Sequence, residues 1–426
     1  MSIKRKIMLC LVVWILCQPI TFAQETIKLT FEQAEKQFLE KNRSLLAERY
    51  NIDIADAAIV QAKLLDNPTL TAGDLNFWKA NAAEELGLSK AAFGNRIVYS
   101  VELEQMIRTA GKRRKLVAME KTSKEIAIKE FESFLLELKT ELRTNLHEII
   151  YLQSYLDINY LLQESVKKMV QAYKNQTASG NIAKSETVRL QASLIELETE
   201  ANELLTELHQ LVKTLKVLLF IPPETELSLL PSETVAKNPT DMQLLDLIEI
   251  AKNARPEFLL SDLNISFHAK LLTYEKSQQT PDIGLILNYD RYGGVWKNFA
   301  GVGVRFDIPV FNRNQGNIKM AKLKAEQSAY QSDYQKNAIL NEVAKTFEHY
   351  TLKYHYYQQL MENNISNDLE SMFEAYQRNL LNKNIAMLEY IDFMYAYKTT
   401  KQAIILAKKN LDVHFEALQL SINHKL

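Results

Sequence analysis

Two acidic residues in the last tenth of the chain have the spacing of a shared charged site. Glu389 and Asp392 are three positions apart and follow the segment "NKNIA". A helix that begins there places both carboxylates on one face. Carboxylates that are crowded together attract cations and repel anions. The alternative is that both are solvated first-turn acids that complement the helix dipole.

The other side chains capable of chemistry form no recognisable catalytic or metal-binding motif. His349 and His355 are six positions apart, which places them on different faces of a helix, and neither HExxH nor CxxC occurs in the sequence. There is also no phosphate-binding Gly-rich loop, no nucleophile elbow and no assignable acid–base pair. The sequence therefore predicts a protein that is not an enzyme and that has no cofactor or bound metal.

The acidic pair lies in one of two similar segments. "SGNIAKSETVRLQASL" begins at Ser179 and "NKNIAMLEYIDFMYAY" begins at Asn382, and each has a glutamate, Glu186 or Glu389, three residues after Asn-Ile-Ala. Long stretches with almost no Gly or Pro surround both segments, which is typical of very long helices. The two segments are therefore predicted to be the tips of two long helical hairpins.

Each predicted tip interrupts a long helical stretch once. Gly180 is the expected helix C-cap at the first tip, and Asn384 is expected in the corresponding place at the second. The first long helix is predicted from about Lys112 to about Ala178. The full set of predicted tip residues is Gly180, Asn181, Ile182, Ala183, Lys383, Asn384, Ile385 and Ala386.

The similarity between the two halves extends beyond the tips. Arg43 aligns with Pro256, and Pro68 aligns with Pro281. Gly111 likewise aligns with Gly316. The sequence thus predicts an internal duplication. The predicted boundaries are a signal peptide at 1–23, a first repeat at 24–220 with its tip near 180, a Pro-rich linker at 221–240 and a second repeat at 241–426 with its tip near 384.

Four segments between the aligned prolines and glycines alternate apolar and polar residues, as strands do. They form two predicted β-hairpins, at about 66–106 and about 281–310. Strands of about ten residues with one apolar and one polar face are typical of strands that span an outer membrane. Four strands are too few to close a barrel, and an open edge is unstable in lipid. Several chains are therefore expected to share one barrel.

The amino terminus and the composition limit where the protein acts. Basic residues, an apolar segment and a small-residue site before Gln24 predict a secretory signal peptide. The alternative is a lipid anchor at Cys17, which Trp14 and Leu16 disfavour because a lipobox prefers Leu three residues upstream and a small residue directly before the Cys. A net charge of -1 argues against nucleic acid as a partner.

These features together resemble the TolC family of outer-membrane efflux ducts over essentially the whole mature chain. Gly180 followed by Glu186 fits the tip motif of the family, whereas Lys383 replaces the second glycine. The segments "GKRRK" at Gly111 and "PVFNRNQGNI" at Pro309 further resemble the CzcC-like branch that serves heavy-metal pumps. The resemblance implies a mostly α-helical fold with a small β part, in which three chains form a 12-stranded β-barrel on an α-helical barrel.

The resemblance also implies a function and a set of partners. The expected function is a passive exit duct of a tripartite efflux pump for metal cations or drugs, located in the outer membrane with its helical part in the periplasm. The implied partners are two further copies of the chain, outer-membrane lipid, a periplasmic adaptor and an inner-membrane transporter of the RND or ABC type. Glu389 and Asp392 occupy the place of the acidic residues that line the periplasmic gate of the family.

Two alternatives remain open from the sequence. One is a duct of the same fold that exports secreted polypeptides. The other is a periplasmic adaptor or structural coiled-coil protein without a pore. This second alternative predicts one hairpin and no lipid-facing strands, whereas the sequence has two predicted hairpins and four alternating strands.

Overall fold

The computed structural model describes residues 26–76, 98–230, 236–291, 296–362 and 364–426. The predicted signal peptide and Cys17 lie outside the described residues. The chain divides into two compact units. The first contains Met1–Arg43, Leu138–Asp241 and His349–Ala417, and the second contains Ser44–Glu137, Met242–Glu348 and Leu418–Leu426. Each unit draws on both predicted repeats.

The described residues are mostly α-helical with a small β part, as the sequence predicts. The helices are α1 (Phe31–Lys41), α2 (Arg43–Lys63), α3 (Lys112–Ala178), α4 (Lys184–Leu219), α5 (Leu244–Ala254), α6 (Pro256–Ser277), α7 (Gln315–Glu362), α8 (Ile365–Leu381) and α9 (Met387–Ile422). The strands are β1 (Thr26–Leu29), β2 (Thr69–Asn76), β3 (Val98–Ile107), β4 (Glu226–Leu229), β5 (Ile283–Arg291) and β6 (Asn298–Phe306). None of the described helices is both long enough and apolar enough to cross a membrane.

The long helices follow from the scarcity of helix-breaking residues. Helix α3 contains 67 residues without Gly or Pro, and its bounds confirm the predicted range. The second long stretch is different, because α7 ends at Glu362 and α8 begins at Ile365. Asn364 there has φ 48°, a left-handed conformation that Asn tolerates better than most residues. The prediction that each long stretch is broken only once is therefore wrong for the second one.

The second unit contains a four-stranded antiparallel sheet in the order β2–β3–β5–β6. Within the sheet, β3 and β5 join the hairpin of the first repeat to that of the second. Strands β2 and β6 are consequently the edges. The part of the first predicted hairpin at 77–97 lies outside the described residues.

A second, smaller sheet was not predicted from the sequence. Strand β1 pairs in parallel with β4, from Thr26 with Glu226 to Leu29 with Leu229. Both strands have four residues, which is too short for a clear alternation of apolar and polar positions. These two strands are therefore additional to the four that alternation predicts between the aligned prolines and glycines.

Candidate functional site: the hairpin tips

The first hairpin tip ends α3 with a tight turn that requires a left-handed residue. Gly180 has φ 75°, as a glycine at this position of a helix end commonly does. Its N–H donates to the Thr177 carbonyl at 3.0 Å, and the Asn181 N–H donates to the Gln176 carbonyl at 2.9 Å. These two bonds are the Schellman pattern, which satisfies the last carbonyls of the helix.

The second tip has the same turn without a glycine. Lys383 has φ 58°, its N–H donates to the Leu380 carbonyl at 3.1 Å, and the Asn384 N–H donates to the Asn379 carbonyl at 2.8 Å. The left-handed residue is therefore Lys383, and the prediction that Asn384 takes the place of Gly180 is wrong by one position. A left-handed conformation costs a lysine about 1–2 kcal/mol, which the surrounding helices must offset.

The structure brings the two tips together. A pocket of about 490 Å³ lies between them, with residues of both tips in its wall. The first tip contributes Asn181, Ile182 and Ala183, and the second contributes Lys383, Ile385 and Ala386. Of the predicted tip residues, Gly180 and Asn384 do not line this pocket but belong to the turns beside it.

The predicted gate residues lie on the exposed side of α9. Glu389 and Asp392 are both exposed, whereas Tyr390 and Phe393 between and after them are buried. The two carboxylates therefore share one helix face, and that face is directed away from the core of the first unit. Their role in a gate stays a prediction, because the predicted gate needs the carboxylates of three copies and a single chain has only two of them.

The equivalent positions on the first hairpin carry a different charge pattern. Glu186 and Arg189 on α4 stand where Glu389 and Asp392 stand on α9. Both Glu186 and Arg189 line the pocket between the tips. The first hairpin thus presents an opposite-charge pair where the second presents two acids. Sequence reasoning did not single out Arg189, although the repeat alignment contains that difference.

An apolar core holds the two hairpins beneath their tips. Its members are mostly three, four or seven residues apart along each helix, which is the spacing of one buried helix face. They are Leu162, Val166, Met169, Val170, Tyr173, Leu190, Leu197, Phe373, Leu380, Met387, Tyr390, Phe393, Met394 and Tyr397. The ring of Tyr376 stacks on that of Phe393, which belongs to this core, with the two centroids 4.0 Å apart.

Buried polar groups also connect the hairpins. The hydroxyls of Tyr390 and Ser165 lie 2.6 Å apart, and the Gln377 amide donates to the Ser165 hydroxyl oxygen at 2.7 Å. Burial raises the pKa of Tyr390 to about 12, so this phenol stays neutral at physiological pH. No local sequence pattern predicts this network, because its members lie on three helices that are distant along the chain.

A second polar cluster lies further along the same helices. Glu200 accepts from Lys398 Nζ at 3.0 Å and from Asn159 Nδ2 at 3.0 Å, and it also accepts from the Tyr155 hydroxyl. Burial and this carboxylate raise the pKa of Tyr155. Because Glu200 belongs to α4 and Lys398 to α9, the cluster adds a charged connection between the two hairpins to the neutral one.

Two of the described histidines are in contact with each other. His349 contacts His414 edge to face, with the ring centroids 5.5 Å apart. Within the residues that the structure describes, no group of three or more His, Cys, Asp or Glu side chains is arranged to hold a metal ion.

The two long hairpins and the four-stranded sheet define the class of fold. Solved structures of outer-membrane channels share it: VceC of Vibrio cholerae has a TM-score of 0.72 at 13% identity, covering 92% of this chain and 96% of that one. CmeC of Campylobacter jejuni has a TM-score of 0.74 at 12% identity, with coverages of 92% and 85%. CusC has a TM-score of 0.71 at 14% identity and covers 96% of both chains.

A similarity in sequence points to the same class. The cobalt-zinc-cadmium resistance protein CzcC of Cupriavidus metallidurans is 22% identical over 317 residues, which are 73% of this chain and 70% of that protein. No protein-family model matches the chain. The chain has the fold of the TolC-like outer-membrane efflux channels, and the resemblance read from its sequence is confirmed.

Proposed function

We propose that this chain is a subunit of a passive outer-membrane exit duct, which carries small solutes from a tripartite efflux pump through the periplasm and the outer membrane. The observation that carries this proposal is the sheet of the second unit, whose two faces differ in chemistry. One face suits lipid and the other suits water. A passive duct needs no catalytic site, so selection and gating are its only chemistry.

The proposed lipid-facing side is the predominantly apolar face of the sheet. Val302 at the middle of β6 is 84% exposed, and Leu287 beside it on β5 is 56% exposed. Their row continues through Leu103 on β3 to Leu70 on β2, each directly opposite the next. Exposed rows of this kind are costly in water and stable in lipid.

The polar face has the properties of a concave, water-filled interior. It carries the glycines of the described strands, namely Gly73, Gly284, Gly301 and Gly303. Because glycine has no side chain, glycines reduce crowding on the inner side of a curved sheet. The same face carries Glu102, Glu104, Asp290 and Arg305. We therefore assign this face to the channel interior.

The internal duplication supplies a rule for how copies would join. Within the second unit, α3 of the first repeat packs on α6 of the second: Ser133 Oγ donates to Glu257 at 2.8 Å, and Lys270 donates to the Thr122 hydroxyl. Each contact has an equivalent when the repeats are exchanged. In the repeat alignment, Ser133 on α3 corresponds to Ala338 on α7, and Glu257 on α6 corresponds to Ser44 on α2. Thus α7 of one copy is expected to pack on α2 of the next.

The exposed side chains of α2 and α7 fit this rule. On α7, the residues Met320, Leu323, Tyr330 and Tyr334 form an exposed apolar stripe. On α2 and directly after its last residue, Tyr50, Ile54, Val60 and Leu64 form another, which runs in the opposite direction. In the interface expected from the repeat exchange, the stripes pair from Met320 opposite Leu64 at one end to Tyr334 opposite Tyr50 at the other. A head-to-tail interface generates a ring when the rotation between copies closes, and the ring proposed here has three copies.

A cross-link would test this interface. A double variant with Tyr50→Cys and Tyr334→Cys is expected to form a disulfide between copies under mild oxidation. The chain has only two other cysteines, Cys10 and Cys17, and both belong to the predicted signal peptide. The measurement is a non-reducing gel of outer membranes, on which ladders up to three chains should appear.

The matched control keeps Tyr50→Cys and moves the second cysteine to Lys336, which contacts Asp262 on α6 of the same chain. This control should stay monomeric on the gel. Equal cross-linking of both variants, or none with Tyr334→Cys, would contradict the proposed interface.

The tips are the proposed docking sites for a periplasmic adaptor. Each copy presents two turns of the same geometry, at Gly180 and at Lys383, side by side around one pocket. Three copies would present six nearly equivalent tips. Such an array suits a ring of six adaptor hairpins, each inserting a helical tip between two neighbouring turns.

Metal cations are the proposed substrates. The protein CzcC, to which the chain is similar, is described as conferring resistance to cobalt, zinc and cadmium. The acidic pair Glu389 and Asp392 on the exposed side of α9 would attract cations that pass the tips. The polar face of the sheet is also acidic on balance, with three acids and one arginine among the described residues.

Metal tolerance of a strain that lacks the chain would test the duct and its tips together. The parent chain should restore growth in cobalt, zinc and cadmium. Gly180→Val should restore it poorly, because a β-branched residue resists the left-handed conformation at a cost of about 1–2 kcal/mol or more. Lys383→Gly relieves the same strain at the other tip and should restore growth fully.

The outcome separates the two proposals. Failure of the parent chain to alter tolerance to any of the three metals would contradict the metal-exporting duct. Full function of Gly180→Val with normal adaptor cross-linking would instead contradict only the docking role of the tip.

A further inference from the structure

An ion pair crosses three strands on the polar face of the sheet. Arg305 Nη1 on β6 lies 2.8 Å from Glu104 Oε2 on β3, although β5 runs between them. The crossing is possible because Gly284 on β5 has no side chain. A Cβ there would lie 2.5 Å from Glu104 Oε1, which is closer than real Cβ contacts.

The two charges of this pair differ in their access to solvent. The Glu104 side chain is 11% exposed, whereas that of Arg305 is 54% exposed. The guanidinium thus covers the carboxylate from the solvent side. Glu104 Oε1 is buried and has no hydrogen-bond partner among the described residues, so the carboxylate retains an unused acceptor.

The pair lies among other acids. The described part of the polar face carries the acidic residues Glu102, Glu104 and Asp290, and Arg305 is its one basic residue. Both members of the pair stand near the end of the sheet from which β3 and β6 lead towards α3 and α7. A cation that enters the sheet from the helical side would meet Glu104 first.

We propose that Arg305 is a tethered counter-ion that prevents Glu104 from trapping metal cations at the base of the sheet. This inference rests on the proposed duct, in which three copies place three such pairs around the passage. Without its guanidinium, each Glu104 carboxylate with its unused acceptor oxygen would attract and hold divalent cations at the wall of the passage. Conduction requires that cations bind weakly enough to leave again, so a permanent guanidinium on each carboxylate keeps the passage open.

A purely structural role does not explain the arrangement as well. Because the Arg305 side chain is half exposed, solvent screens the ion pair and limits what it adds to stability, and the unpaired buried acceptor at Glu104 Oε1 is unfavourable for stability. Arginine rather than lysine suits a counter-ion that must not be lost, because its guanidinium stays charged at every physiological pH. The geometry thus favours control of charge over stabilisation of the sheet.

The test is the reversal potential and the Zn²⁺ block of the purified channel in a planar bilayer under a KCl gradient. Arg305→Gln should shift the reversal potential towards cation selectivity and make the channel sensitive to Zn²⁺ at concentrations that leave the parent open. The double variant Glu104→Gln, Arg305→Gln should return both readings to those of the parent. All of these proteins keep the residues of the tips, so differences between them report on the pair.

Gly284→Ala supplies a second, independent variant, because its methyl group displaces the Glu104 carboxylate from Arg305. It should shift selectivity in the same direction as Arg305→Gln. Identical selectivity and block in the parent and all three variants would overturn the inference while leaving the duct intact. Absence of any conductance from the parent would contradict the duct itself and the inference with it.

Discussion

Replacing Glu389 and Asp392 by their amides will abolish the cation preference that arises at the tips. The double variant Glu389→Gln, Asp392→Asn keeps the size and hydrogen-bonding capacity of both side chains and removes only their charge. In a ring of three copies it removes six carboxylates from a narrow aperture, where charges of one sign raise the local concentration of counter-ions. The expected result in a planar bilayer is a channel with weaker cation selectivity.

The same variant should lose its sensitivity to block by divalent or trivalent cations applied from the side of the tips. A multivalent cation bridges several carboxylates at once. Its affinity for the tips therefore falls more steeply than the affinity of K⁺ when carboxylates are removed. Glu186→Gln on the first hairpin is the control, since its neighbour Arg189 makes that position nearly neutral. Unchanged selectivity and block in the double variant would show that both acids only complement the helix dipole.

Val302→Lys will lower the amount of assembled protein in outer membranes. Val302 is 84% exposed at the centre of β6 on the apolar face, where the account places lipid. A lysine facing lipid near the bilayer midplane costs about 2–4 kcal/mol per chain. In the proposed trimer this cost is incurred three times in one assembly. The measurement is the yield of heat-resistant trimer in purified outer membranes.

Asn288→Lys is the matched control for this variant. Asn288 lies on the neighbouring strand β5 at nearly the same level, opposite Gly301, but on the polar face. The same lysine there would meet water and the acids of the interior, so assembly should be close to that of the parent. If the two variants lost trimer equally, or if only Asn288→Lys lost it, the assignment of the faces would be wrong.

Much of the fold could be predicted because its signals are local. The absence of Gly and Pro over 67 residues predicts α3, and alternation along β5 and β6 predicts the second hairpin. The two tips were found because the chain repeats itself. At the second tip, Lys383 aligns with Gly180, but local preference favours the neighbouring Asn384 as the left-handed residue, because a lysine seldom adopts positive φ.

The parts that could not be predicted depend on contacts between distant segments. The pairing of β1 with β4 joins residues 200 positions apart, and neither strand has a pattern of its own. The network of Ser165, Tyr390 and Gln377 requires three helices to be placed first. The ion pair of Glu104 and Arg305 requires the register of three strands and the missing side chain of Gly284. Local patterns carry none of this information.

The mass of the protein extracted from outer membranes in a mild detergent tests the central claim most directly. The four strands of the described sheet are too few to form a closed barrel, and three copies would supply the twelve strands that the account requires. Light scattering, with the detergent contribution subtracted, should therefore give the mass of three mature chains. A monomer under these conditions, or a chain that is absent from the outer membrane, would contradict the shared duct.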